Sequence, residues 1–298
     1  MTGDGHSLTS IRSQGDGGQA GTTPPLVSVI VPTHNRCQFV AEAVDSVLGQ
    51  RGCSFELIVI DDGSTDETRL ALESRREALR YVHQLQRGVA AARNAGVRLA
   101  RAKWLAFLDS DDLWQPDKLR TQLAFHEQNP GLRISQTEEI WVRNGVRVNP
   151  CAHHRKPQGD IFVPSLARCL VSPSAVMLHR EMFDAMGGFD ESLPVCEDYD
   201  LWLRIASRAP VGLVAEPLVI KRGGHADQLS RAYWGMDRFR VAVLLKLLAR
   251  GELTRAQRLA VVGVLVEKCA ILAQGARRRH RDEEADRYAV LARVGAHV

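Results

Sequence analysis

Three short runs of large apolar, mostly β-branched residues stand out in the first third of the chain, at 26–31, 57–60 and 104–108. They are short for helices and show no sustained polar alternation, which predicts strands buried on both faces of a mostly parallel sheet. Helical patterns separate them. Val40, Val44, Val47 and Leu48 fall at helix spacing, and 89–100 is alanine-rich. Ser64 with Glu67 forms a capping box for a helix reaching Leu79. Strands alternating with helices predict an α/β fold with a mostly parallel central sheet and helices on its faces.

Beyond Phe125 the pattern loosens. Residues 175–178 and 213–220 read as further strands and 197–207 as a helix, with Trp202 and Ile205 on its core face. From Met236 the chain turns helical, with Gly251 and Gly275 punctuating two or three helices. Residues 1–24 are rich in Gly, Ser, Thr and Gln and poor in large apolar groups, the composition of a disordered segment. The Gly15, Gly17, Ala20 match to a dinucleotide fingerprint falls there, with no strand before it. The expected organisation is thus a disordered segment over 1–24, an α/β domain over 25–225 and a helical extension over 226–298.

Composition and charge narrow the function classes. A length of 298 residues suits one α/β core with an appendage. The net charge of +4 is uneven, about +6 from Ala226 onward and −2 before it, and no concentrated basic face of a nucleic-acid binder results. No window approaches the roughly 18 apolar residues of a membrane span, and the N-terminus lacks a hydrophobic signal core. Six scattered cysteines lack metal-ligand spacing and read as reduced thiols. A cytoplasmic protein is expected. The basic run Arg277 to Arg281 is either a solvated helix end or a contact for anionic lipid, as at the inner membrane, or for an acidic acceptor.

Chemistry concentrates at the strand ends, where open α/β sheets bind ligands. The first three strands end in Pro32-Thr33-His34-Asn35, in Asp61-Asp62-Gly63-Ser64 and in Asp109-Ser110-Asp111-Asp112. Asp109 and Asp111 offer hard oxygens to Mg²⁺ or Mn²⁺. Such a cation would offset charge on a departing diphosphate. Asp61 or Asp62 can accept from a nucleobase or ribose, or cap a helix entry. Pro32 and Thr33 either line the same pocket or simply stop the strand. Trp114 is read as a packing residue.

Together these segments resemble family 2 glycosyltransferases. Val27-Ser-Val-Ile-Val-Pro-Thr-His-Asn35 is similar to the family's opening strand. Glu56-Leu-Ile-Val-Ile-Asp-Asp-Gly-Ser-Thr-Asp66 and Gly88-Val-Ala-Ala-Ala-Arg-Asn-Ala-Gly96 resemble its second and third motifs. Asp109-Ser-Asp-Asp-Leu-Trp-Gln-Pro116 resembles its metal motif. Gly187-Gly-Phe-Asp190 and Glu197-Asp-Tyr-Asp-Leu-Trp-Leu-Arg204 resemble its acceptor-side motifs. The resemblance covers about 26–225. It implies a GT-A fold, a nucleotide-sugar donor with UDP favoured, a divalent metal and inversion at the anomeric carbon. It puts Pro32, Thr33, Asn35, Asp62, Arg93 and Asp109 around the donor, with Asp62 on the base. It gives the metal to Asp109 and Asp111, with His225 either a candidate third ligand or a satisfied loop histidine. The general base lies in the Glu197-Asp198 pair, Asp198 preferred. Arg93 supports the donor or is a helix-surface arginine. The acceptor is a glycan, lipid-linked or other hydroxyl compound, and the helical extension is a docking or oligomer element. The rivals are a non-catalytic sugar-nucleotide binder on the same fold and a nucleotidyltransferase. The latter would want a basic, Gly-rich loop where Pro32-Thr33-His34-Asn35 stands.

Overall fold

The computed structural model describes residues 24–148, 156–224, 233 and 235–295. The first half alternates as the pattern predicts: β1 (Val27–Thr33), α1 (Val40–Leu48), β2 (Phe55–Asp62), α2 (Thr68–Ala71), β3 (Arg80–Gln84), α3 (Val89–Leu99) and β4 (Trp104–Phe107). The strands β3, β2, β1 and β4 lie side by side in parallel register. Their carboxyl ends therefore share one edge, which is why three polar clusters far apart in sequence meet. Gly96 lets α3 settle onto β1. A Cβ at this position would sit 2.3 Å from Ile30 Cγ2.

The second half widens the sheet. β5 (Leu113–Trp114), α4 (Lys118–Gln128), β6 (Ile134–Arg143), β7 (Val146–Val148), α5 (Phe162–Leu166), β8 (Met177–His179), α6 (Arg180–Met186), α7 (Glu197–Ala206) and β9 (Gly212–Gly223) follow. The order is β3-β2-β1-β4-β8-β6-β9-β5, with β7 on β6. β8 runs antiparallel to both β4 and β6, whereas β6 and β9 are parallel. This half is mixed.

Three helices close the chain: α8 (Asp237–Ala249), α9 (Arg255–Arg277) and α10 (Asp282–Gly295). The first two enter the main core. Leu244 and Leu247 of α8 and Leu265 and Cys269 of α9 join one buried cluster with Phe107, Phe162, Tyr199 and Trp202. The helical extension thus shares its core with the sheet.

Several local expectations are corrected. The Ser64–Glu67 capping box does not form. Glu67 is the N-cap, without a side-chain bond, and only four α-helical residues follow before a 3₁₀ turn at Glu73–Ala78. Asp66 Oδ1 instead takes the Thr68 N–H at 2.9 Å, and no residue of the 3₁₀ turn is buried, so nothing drives a longer helix. Gly275 lies inside α9. The break falls near His280, at φ +56°. Residues 173–175 form a 3₁₀ turn ahead of β8. By length and composition α9 is long and apolar enough to cross a membrane. Lys268 and Glu267 interrupt its apolar run, so no unbroken window is visible. The face carrying Val261, Leu265, Cys269 and Leu272 is buried in the protein core.

Trp202 and Ile205 are buried, as their helix face predicts. Trp114 is a packing residue. Its indole N–H donates to Ser174 O at 2.8 Å and Lys118 Nζ lies 4.0 Å from the ring centre. The five cysteines among the described residues are free thiols. Residues 1–23, Cys151, His153, His154 and His225 lie outside the described residues.

Candidate active site

The strand ends of β1, β2 and β4 open onto a cleft of about 900 Å³. Pro32, Thr33, Asn35, Asp62, Arg93, Asp109, Asp111, Glu197 and Asp198 all line it. The described residues that the family resemblance assigned to catalysis, donor or metal thus reach one cavity, whereas Asp61, the alternative to Asp62, does not line it. Their roles within it differ.

On the β1–β2 side much of the polar chemistry holds loops. Asn35, at φ +50°, accepts the Thr65 N–H on its Oδ1 at 2.8 Å, and its own N–H donates to Ser64 Oγ. It staples the β1 loop to the β2 loop. Asp61 takes the Ser64 N–H and the Tyr81 hydroxyl, the turn-forming role. Asp62 accepts from Arg87 N at 2.9 Å, Gly88 N at 2.7 Å and Gln84 Nε2 at 2.7 Å. Its carboxylate fixes the 87–88 turn, which also lines the cleft. Thr33 lines this cleft, and its buried Oγ1 has no hydrogen-bond partner among the described residues.

The metal-type motif is anchored by the residue next to it. Buried Asp112 accepts from Arg222 N at 2.9 Å, Ser174 Oγ at 2.6 Å and Lys221 Nζ at 3.2 Å. Ser174 Oγ also accepts the Asp109 N–H at 3.1 Å. Burial pushes the Asp112 carboxyl up, but three donors converge on it, so we assign the ionised acceptor. With Asp112 holding the turn, Asp109 and Asp111 face the cleft. Burial works against ionised Asp109, yet Arg93 and Lys221 outweigh it and hold its pKa below the ordinary value. Sequence reasoning missed Ser174, Lys221 and Arg222, because they come from a 3₁₀ turn and from β9, more than 60 residues away.

Across the cleft, α7 begins with Glu197 and Asp198. Arg93 of α3 is buried, which settles its two readings against a helix-surface arginine. It donates to Glu197 Oε1 at 2.5 Å and to Asp109 Oδ1 at 2.7 Å. Burial and the neighbouring Asp198 push the Glu197 carboxyl up to about 7, with Arg93 opposing. Asp198 is half-buried. Its Oδ1 takes the Tyr199 N–H at 2.7 Å and its Oδ2 the Cys169 thiol at 3.6 Å. Tyr233 and Met236, from the stretch leading into α8, also line the cleft.

Because Asp62 holds the 87–88 turn through charge-assisted bonds, Asp62→Ala should weaken binding of the nucleoside diphosphate that the sequence resemblance implies by roughly 10- to 150-fold, the loss of about 1.5–3 kcal/mol. Calorimetry on the folded variant checks this, and unchanged affinity refutes it.

The family model described as glycosyl transferase family 2 matches residues 28–183, just over half of the chain, and glycosyltransferase like family 2 matches 153–255. An uncharacterised glycosyltransferase of Rickettsia felis is 36% identical over 196 residues, covering 64% of this chain and 32% of the relative. The chain thus spans about a third of that relative. The UDP-Glc:alpha-D-GlcNAc-diphosphoundecaprenol beta-1,3-glucosyltransferase WfgD of Escherichia coli is 32% identical over 186 residues, covering 60% of this chain and 69% of WfgD. The crystal structure of S. aureus TarS 1-349 in complex with UDP-GlcNAc aligns at TM-score 0.62 and 18% identity, over 90% of this chain and 92% of TarS 1-349. With that match in sequence and in fold, the chain belongs to glycosyltransferase family 2 and has the GT-A fold.

Proposed function

We propose that the protein is an inverting glycosyltransferase. It moves a sugar from a nucleoside diphosphate donor, UDP favoured, to the hydroxyl of a glycan or lipid-linked acceptor in cell-surface glycan assembly. One observation carries the reading. A single cleft holds a buried unpartnered hydroxyl at Thr33, a carboxylate pair at Asp109 and Asp111, and a further carboxylate at Asp198 on the helix opposite. Inversion needs a neutralised leaving group on one side and one proton acceptor on the other, and we assign the first to Asp109 and Asp111 and the second to Asp198. WfgD by name uses a UDP-sugar and a lipid-linked acceptor, and TarS is titled as a UDP-GlcNAc complex. Both favour UDP, and the name of WfgD favours a lipid-linked acceptor. We place the enzyme on the cytoplasmic side, in keeping with its free thiols.

The donor set suits a hard divalent cation. No group of three His, Cys, Asp or Glu among the described residues is arranged to hold a metal. Mg²⁺, with Mn²⁺ as its substitute, is commonly held by one or two carboxylates and completed by substrate phosphates. Asp109 and Asp111 would hold it, and when bound it would offset the charge on the leaving diphosphate. Arg222, whose backbone N–H bonds Asp112 and whose guanidinium donates to Asp111 O, keeps the turn in shape.

A panel of nucleotide-sugars tests the reading through thermal stabilisation and transfer. A UDP-sugar at 100 times its Kd should add about 2.7 kcal/mol of stability. No stabilisation by any nucleotide-sugar would defeat it. Transfer should require divalent cation, and Asp111→Asn should lose most of it while remaining folded. Full transfer in excess chelator would remove the metal from the proposal.

A further inference from the structure

Arg93 touches both sides of the cleft. Nη2 reaches Asp109, just past β4, and Nη1 reaches Glu197, whose chain neighbour is Asp198. The Arg93 side chain is 4% exposed, and its guanidinium carbon lies 5.3 Å from the centre of the Phe189 ring. Phe189 is in turn pinned to α3, since Asn94 Nδ2 donates to Phe189 O at 2.8 Å and Phe189 N donates to Asn94 Oδ1 at 3.0 Å. The fork is therefore held on both edges and one face. Burying an arginine is expensive, and its Nε has no hydrogen-bond partner among the described residues. An apolar side chain would pack α3 at lower cost. What arginine supplies is a rigid planar fork that spans two carboxylates.

We propose that Arg93 is a positioning residue. By bridging Asp109 and Glu197 it fixes the distance between the carboxylate beside the leaving diphosphate and the helix turn that carries the base. The proposal rests on Asp198 being that base and on Asp109 being on the donor side. It assigns Arg93 an action through two protein carboxylates rather than on the donor itself. Both terminal nitrogens are already committed to protein, which favours this over direct donor binding. The consequence is that the two halves of the reaction centre are set by one side chain, and disturbing it should cost turnover before donor affinity.

Three variants test this: Arg93→Lys, Glu197→Ala and the double variant. Lysine keeps the charge but cannot reach both carboxylates as a fork. A misplacement of about 1 Å at a reaction centre can cost about 10²-fold. Arg93→Lys should therefore lose tenfold or more in kcat, roughly, with Mn²⁺–UDP affinity by calorimetry within about twofold of wild type. If Arg93 works through Glu197, the double variant should fall no further than the worse single variant. Activity is expressed per folded protein, with the Tm measured alongside, so that simple destabilisation is removed from the comparison. UDP affinity falling in step with kcat would make Arg93 a donor ligand and overturn the proposal. Multiplying losses in the double variant, or wild-type kcat in folded Arg93→Lys, would also overturn it. Failure of the base assignment looks different, because it shows as an active Asp198→Asn enzyme whatever Arg93→Lys does.

Discussion

Asp198→Asn should bind nucleoside diphosphate and metal as wild type does, yet transfer sugar slower by about 10² or more. The substitution keeps shape and removes the proton acceptor. A base acts in the transition state, so its loss falls on turnover rather than on donor binding. The choice between the two adjacent carboxylates comes from what each touches. Glu197 is buried and spends an oxygen on Arg93, 2.5 Å away. Asp198 is half-buried on the cleft wall, held by the Tyr199 N–H and the Cys169 thiol. Glu197→Gln retains an acceptor for Arg93 and should cost less than Asp198→Asn. Measured single-turnover rates decide. A dead Glu197→Gln beside a near wild-type Asp198→Asn would move the base by one residue. Two active variants would send it elsewhere in the cleft.

How much of this could be read from residues alone follows from where the information lies. β1, β2 and β4 are buried on both faces, so each announces itself as an apolar run, and their shared direction follows from the intervening helices. The convergence of Asp62, Asp109 and Asp111 was legible for that reason. β6 was not, because its buried segment is Ile134 followed by Ser135, Gln136 and Thr137, a single apolar residue rather than a run. Ser135 is met by Gln122 and His126 of α4, and Gln136 Nε2 donates to Pro157 O, contacts that only the folded chain supplies. Asp112 gives the same lesson at the site. Asp109, Asp111 and Asp112 look alike in sequence, and only Lys221, Arg222 and Ser174 identify the one that anchors the turn. Arg93 was ambiguous because helix periodicity cannot register a pair of carboxylates arriving from other elements. The false capping box at Ser64 arose from spacing that matched while the Asn35 N–H had taken Ser64 Oγ as its acceptor and Asp66 had taken the Thr68 N–H.

A chain ended at Ser230 should fail to fold cooperatively, although the family-like motifs all lie before that point. The expectation that the helical extension merely docks or oligomerises gives way here to packing. α8 lies against α7, and α9 lies against α5. Val241, Val243, Leu244 and Leu247 of α8, with Val261, Leu265, Cys269 and Leu272 of α9, are buried in the cluster that also holds Trp202, Phe162 and Leu166. Full burial of one large aliphatic side chain is worth about 1.5–3 kcal/mol. Removing this many exceeds the roughly 5–15 kcal/mol by which domains are stable, even after the helices' own ordering cost is discounted. The loss would fall on the catalytic side, since Lys246 of α8 also bonds Asp200 of α7 at 2.8 Å and Asp190 at 2.5 Å. α7 is the helix that presents Asp198. Circular dichroism melts of the truncated chain should show no cooperative transition. In the full-length protein, Leu244→Ala should cost about 2–5 kcal/mol, read from denaturant midpoints. A truncated chain that melts cooperatively and binds UDP as tightly as the full chain would show that the sheet supports the cleft without α8 and α9.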